Sequence, residues 1–266
     1  MRVLRPVFLL ALALGLSGCF QLHTLLKVFP DGSGQLVTSV QMTAETYERF
    51  KAFAELSPSS KEAFSLIDEE ELRAAAKTYG PGVAFEGVKP LDENGARGYV
   101  ATYRVADVTT LALSLTPSLP MGDAKPDDEP VVTFGMRPAS ADAPAVLTME
   151  IPPLISMSQG QMASIGRDQG KGIDGFQQAR EALRGMEVSL RVEPQGAIEE
   201  TTASFEEAGT ITLMRLDLDA MLADPALLER LQQREPPASA EETAEQLAEI
   251  PGLDAEAQPT VTVMFE

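Results

Sequence analysis

One cysteine, one histidine and no tryptophan stand among 266 residues. A single Cys rules out an intrachain disulfide and a Cys-based zinc site. A single His rules out any site that needs two imidazoles. Aromatic residues are only 6% of the chain, which argues against a sugar-stacking platform. Basic residues are scarce too: 21 Lys and Arg against 40 Asp and Glu give a formal charge of −19. Phosphate backbones are bound by basic faces, so no nucleic acid partner is expected. There is no phosphate loop, dinucleotide fingerprint or nucleophile elbow. Gly170-Lys171-Gly172 lacks the leading glycine and the following Ser or Thr that a phosphate loop requires. Apolar residues, at 44%, suffice for the core of one large domain or two smaller ones.

Long apolar runs are also missing. Residues 7–16 (VFLLALALGL) fall well short of the roughly 20 residues that cross a bilayer as a helix. They suit the apolar centre of an export signal, with Arg2 and Arg5 before them. The run ends in Leu16-Ser17-Gly18-Cys19, which resembles the bacterial lipobox. That resemblance implies a signal peptide over 1–18, cleavage before Cys19, and a diacylglycerol cysteine whose new amino group also carries an acyl chain such as palmitate. The competing reading is an ordinary secretory signal with a chance Cys, or an uncleaved anchor. Acyl burial contributes about 0.8 kcal/mol per CH₂, and several chains on one Cys hold a protein firmly. The covalent lipid on Cys19 is the only prosthetic group expected. Phe20 replaces the Asp that retains enteric lipoproteins in the inner membrane, which points to the outer membrane, with the body in the periplasm or at the cell surface. Loss of Arg2 and Arg5 leaves that body more acidic still, so anionic headgroups repel it beyond the tether.

Past the anchor, period-two alternation predicts strands. Leu22, Thr24, Leu26 and Val28 run into Pro30-Asp31-Gly32-Ser33-Gly34, and Leu36, Thr38, Val40 and Met42 run out of it, as in a β-hairpin. Further strands are predicted over 83–90, 98–105, 131–136, 146–151, 188–193, 197–205, 210–218 and 260–265. Helices are predicted over 44–56 with Thr43 as cap, 61–79 with Asp68 capping its second part, 176–184, 219–231 with Asp219 as cap, and 242–249. Residues 119–130 and 232–242 read as polar, Pro-rich connections. An internal echo joins Leu26-Lys27-Val28-Phe29-Pro30-Asp31-Gly32 to Leu190-Arg191-Val192-Glu193-Pro194-Gln195-Gly196. It reads either as two related hairpins or as convergence on common turn chemistry.

The expected fold is α+β: antiparallel β hairpins forming a curved sheet, with helices packed on one face. The expected organisation is a body over 19–235, as one unit or two similar lobes (19–150 and 151–235), with 236–266 returning to it as linker, short helix and terminal strand. The anchor-proximal hairpin with its Val28-x-Pro30-Asp31-Gly32-Ser33-Gly34 core resembles poorly characterised bacterial lipoproteins of the mycobacterial LppM type, over about residues 16–105. That resemblance implies an envelope location and an α+β domain, and brings no catalytic residues.

Chemistry-bearing residues are few. His23 is the only imidazole, in a strand near the anchor, with no Ser or Cys nucleophile close to it in the chain. Asp127-Asp128-Glu129 reads as a solvated charge run, and Asp217 with Asp219 as the start of a helix. No twelve-residue Ca²⁺ loop follows Asp31. No metal site and no catalytic residue are expected. The function expected is a non-enzymatic binding or scaffolding module, anchored to the membrane through its lipid and facing an unknown envelope protein. The second reading is a carrier of lipid or another apolar ligand, with a cavity lined by 151–165. The third is a carboxylate-based enzyme.

Overall fold

The computed structural model describes residues 20–48, 51, 65–93, 95–115, 130–152, 185–223, 227 and 239–266. The lipobox-like segment Leu16-Ser17-Gly18-Cys19, the cluster Asp127-Asp128-Glu129 and the segment 153–184 lie outside them.

Strand alternation becomes burial directly. In β1 (Phe20–Val28) and β2 (Gly34–Thr43) every second side chain is buried and its neighbours are half-buried. The turn between them is built by Asp31, whose carboxylate accepts from the Ser33 amide (2.9 Å) and hydroxyl (2.7 Å), while Gly32 takes a positive φ of 88°. The same turn is tied down from outside: the Val108 amide donates to the Gly32 carbonyl, and the Ala139 amide to that of Pro30. The motif that carries the lipoprotein resemblance therefore has a sufficient local role.

A second hairpin, β3 (Val83–Glu93) with β4 (Ala96–Val105), lies beside β2. Then come β5 (Ala112–Ser114), β6 (Val131–Arg137), β7 (Ala145–Glu150), β8 (Met186–Pro194), β9 (Ile198–Thr201), β10 (Glu206–Glu207), β11 (Thr210–Asp217), β12 (Leu253–Ala255) and β13 (Thr260–Phe265). They form two sheets. The larger has eight strands in the order β10-β11-β8-β1-β2-β4-β3, with β12 on β11; the smaller has five, β5-β6-β7-β13-β9. Both sheets draw strands from either side of residue 150. Their buried faces merge into one apolar core, in which Leu26, Leu36, Tyr103, Leu147, Val263 and Phe265 are fully buried.

The fold is sheet-dominated, and three expectations change. The larger sheet is mixed, because β1 and β8 pair in parallel along their whole length, Phe20 opposite Met186 and Val28 opposite Pro194. Among the described residues the helices are few and short: α1 (Glu69–Ala75) buries no residue fully but packs Leu72 against the core, α2 (Leu218–Leu222) is one turn, and α3 (Ala240–Ala248) adds Leu247 to the core margin. None of them is long and apolar enough to cross a membrane. The echo between 26–32 and 190–196 is not a repeated hairpin: β1 turns back into its neighbour β2, whereas the chain after β8 leaves for the other sheet as β9.

The caps follow the sequence closely. Asp68 accepts from the Glu70 and Glu71 amides at the start of α1, and Thr43 accepts from the Thr46 amide at a helical turn over 44–48. Ser239 caps α3. At α2 the cap is Asp217, which accepts from the Ala220 amide at 3.1 Å, not Asp219. The strand runs one residue less far than its pattern suggests, so the carboxylate that ends it also starts the helix.

Candidate functional site

The outward face of the larger sheet carries the polar half of each alternation. Register sets its side chains in rows across the strands. One row runs Asp254 (β12), Arg215 (β11), Ser189 (β8), His23 (β1), Ser39 (β2). Ser189 has longer side chains on both sides of it, Arg215 and His23, and is only 2% exposed although it points away from the core. His23 Nδ1 and Ser189 Oγ share a hydrogen bond of 2.8 Å. The absence of a serine beside His23 was a statement about the chain; folding brings one from 166 residues away.

Ser189 lies under its neighbours, at 2% exposed, which restricts its reach to a substrate carbon. Burial pushes the His23 imidazole below its ordinary value of 6.5; Glu187 opposes this, and Arg191 and Arg215 add to it. The unfolded state therefore takes up the proton more readily than the folded one, and folding stability should fall as pH drops below about 6.5. Urea midpoints measured near neutrality and again near pH 5 should show this loss, and His23→Gln should reduce it.

Beside the pair lies a groove of about 770 Å³ over β1, β8 and β11, walled at its far end by 204–207. Arg215 is spoken for: its guanidinium meets Glu187 at 2.9 Å and Asp254 at 3.6 Å. Arg191 also lines the groove, and its Nε is buried with no hydrogen-bond partner, which costs about 1–3 kcal/mol. The far wall is held in place by Glu256, which is 1% exposed and accepts from the Ser204 amide (2.7 Å), the Ser204 hydroxyl (2.9 Å) and the Gln258 amide (3.2 Å). Glu256 thereby positions Phe205, whose ring stays 37% exposed at the rim.

Among the residues singled out from the sequence, only His23 lies in this groove, and Asp217 and Asp219 serve the start of α2. Among the described residues, no three His, Cys, Asp or Glu gather where they could hold a metal ion. Glu187, Ser189 and Arg191 were legible only as the wet face of a strand. Their meeting with His23 and Arg215 depends on strand order, which alternation does not encode.

No protein-family model matches the chain, and no curated protein does. A solved structure, the NMR structure of the folded domain of LppM from Mycobacterium tuberculosis, is a weak structural neighbour. Its TM-score is 0.28 at 12% identity, covering 76% of this chain and 84% of that one. A likeness of this size carries no argument about the site.

Proposed function

We propose that this protein is an envelope lipoprotein, tethered through Cys19 to the outer membrane, whose acidic body is a non-enzymatic binding module with the groove over β1, β8 and β11 as its binding surface. The observation that carries the reading is the open groove of about 770 Å³ itself, lined almost wholly by polar and charged side chains. Sheet edges support it as well, because they are poor sites for strand addition. β3 is blunted by Lys89, Pro90 and a register shift between Phe85 and Gly87, while the edge strands β10, β5 and β9 are only 2, 3 and 4 residues long. The carrier reading rests on 151–165, which past Pro152 lies outside the described residues. Against an enzyme stands the burial of Ser189.

The tether is tested by Cys19→Ala in the native host. The parent should fractionate with the membrane and give a peptide mass carrying acyl chains at residue 19. The variant should be soluble or remain as an uncut precursor. A variant still fully membrane-bound and cut at the same bond would refute the anchor. Native mass spectrometry of the extracted parent separates the carrier reading, which requires a lipid held without a covalent bond.

A further inference from the structure

Where the sheet begins limits how a tethered body can sit. Cys19 is bonded to Phe20, and Phe20 already belongs to the core: it is 9% exposed and pairs with Met42 on one side and Met186 on the other. No spacer separates the anchor from the sheet. Gln21 and His23, both in the groove, follow Cys19 by two and four residues, about 7 and 13 Å of strand. A headgroup layer is itself about 5–7 Å deep. With the tether at Cys19 the groove stays beside the membrane, and only the tilt of the body is left open.

Charge decides the tilt. Standing on its strand ends, the larger sheet would present Glu45, Glu48, Asp92, Asp217 and Asp219 to the lipid, against Arg97 and Lys51. Its outward face is different. Register continues the His23 row through Ser39 to Val100 and Lys89, and sets Lys27 in line with Gln35 and Arg104. With Arg191 and Arg215, that face holds half of the lysines and arginines among the described residues. It is close to neutral, since Glu86, Glu187, Glu193, Glu207 and Asp254 stand against these five, while most of the acidic residues lie elsewhere. Leu25 and Val37 give it an apolar centre. Phe29, next in the alternation after Lys27, and Phe205 at the groove's rim add two exposed rings, 39% and 37% exposed. Aromatic rings and basic side chains are the groups that settle at a membrane–water interface. From this combination we infer that the outward face of the larger sheet, groove included, rests on the phospholipid headgroups of the membrane that holds the anchor. Lysines meet headgroup phosphates, the groove's carboxylates meet headgroup ammoniums, and the two phenylalanines enter the interface. The partner of the groove is then the lipid surface itself. This inference rests on the tether and on the groove reading proposed above.

The test uses the full lipidated chain in vesicles of phosphatidylethanolamine and phosphatidylglycerol. The Cys19 sulfur is taken up by its lipid, so a cysteine introduced elsewhere is the one reactive thiol. A fluorophore is placed on Gln35→Cys or Ser39→Cys, on the outward face, or on Glu199→Cys, exposed on β9 of the smaller sheet. Circular dichroism melts show that each variant is folded. Lipids with a nitroxide on the headgroup should quench the first two probes, and iodide in the water should quench the third. Lys27→Glu combined with Lys89→Glu should lower the lipid quenching about fivefold or more, whereas Lys77→Glu, exposed beyond α1, should leave it unchanged. Face probes that iodide reaches as well as it reaches Glu199→Cys overturn the inference. So does shielding without lipid quenching that disappears as chains are diluted among vesicles, which assigns the face to a second copy. If either happens while Cys19→Ala still releases the body from the membrane, the face assignment alone has failed and the tether stands. A body that Cys19→Ala does not release removes the tether and this inference with it.

Discussion

Gly98→Ala should destabilise the protein by about 3 kcal/mol, at the upper end of what overpacking costs. Gly98 lies in β4 opposite Gln41 of β2, and a Cβ there would be driven into the backbone of the neighbouring strand. Its nearest atom is the Val40 carbonyl oxygen, well inside van der Waals contact, with the Val40 carbonyl carbon and the Gln41 Cα both at 2.9 Å. Backbone cannot rotate away as a long side chain can, so the two strands would have to part inside the larger sheet, one strand in from its β3 edge. Thermal unfolding should come roughly 5–10 °C lower. Gly87→Ala is the matched control. It lies on the edge strand β3, with nothing within 4 Å of the added carbon, and should leave the melting temperature nearly unchanged. A Gly98→Ala melt indistinguishable from the parent would show that β2 and β4 are not so closely apposed.

Phe265→Ala should cost about 3–5 kcal/mol, the usual penalty for emptying a buried aromatic site. Phe265 is fully buried and stands next to the last residue, on a strand flanked by β7 and β9 in the smaller sheet. Its backbone pairs with Ala145 on one side and Ile198 on the other, so the cavity would open between two strands and against the shared core. The comparison is Phe29→Ala, at the β1–β2 turn, where the ring is 39% exposed and the loss should stay within about 0.5 kcal/mol. Guanidinium denaturation of the three proteins decides it. Similar midpoints for the two substitutions would mean that the terminal strand is not part of the cooperative core.

The strands were the most legible part of the sequence because burial on one face of a strand imposes a period of two. Residues 22–42, 83–105 and 260–265 show this period, and each became strand within a few residues of its predicted ends. Short pieces escaped. β5, β10 and β12 have at most 3 residues, too few for a period to register, and β10 falls between the strands predicted over 197–205 and 210–218. One helix was drawn too long: the acidic cap Asp68 announces a start clearly, but nothing in 69–79 announces that the helix ends at Ala75, whereas the helix predicted over 242–249 is present as α3. The site was almost illegible. Alternation assigns Glu187, Ser189 and Arg191 to the outside of a strand and cannot say which strand lies next to it. His23 found its serine through a parallel pairing between distant segments.

That pairing has a bearing on how the chain acquires its structure. β1 is the first of the described strands, and His23 is 166 residues from Ser189 on the strand beside it. At a synthesis rate of about 5–20 residues per second, the first strand waits roughly 10–30 s after its own production before that neighbour exists. The nascent chain can close the β1–β2 hairpin early, but the centre of the larger sheet cannot form until most of the polypeptide has been made. Contacts this distant in sequence make folding slow. On the export route proposed above, the delay keeps the chain unfolded enough to be threaded across a membrane before its sheet locks.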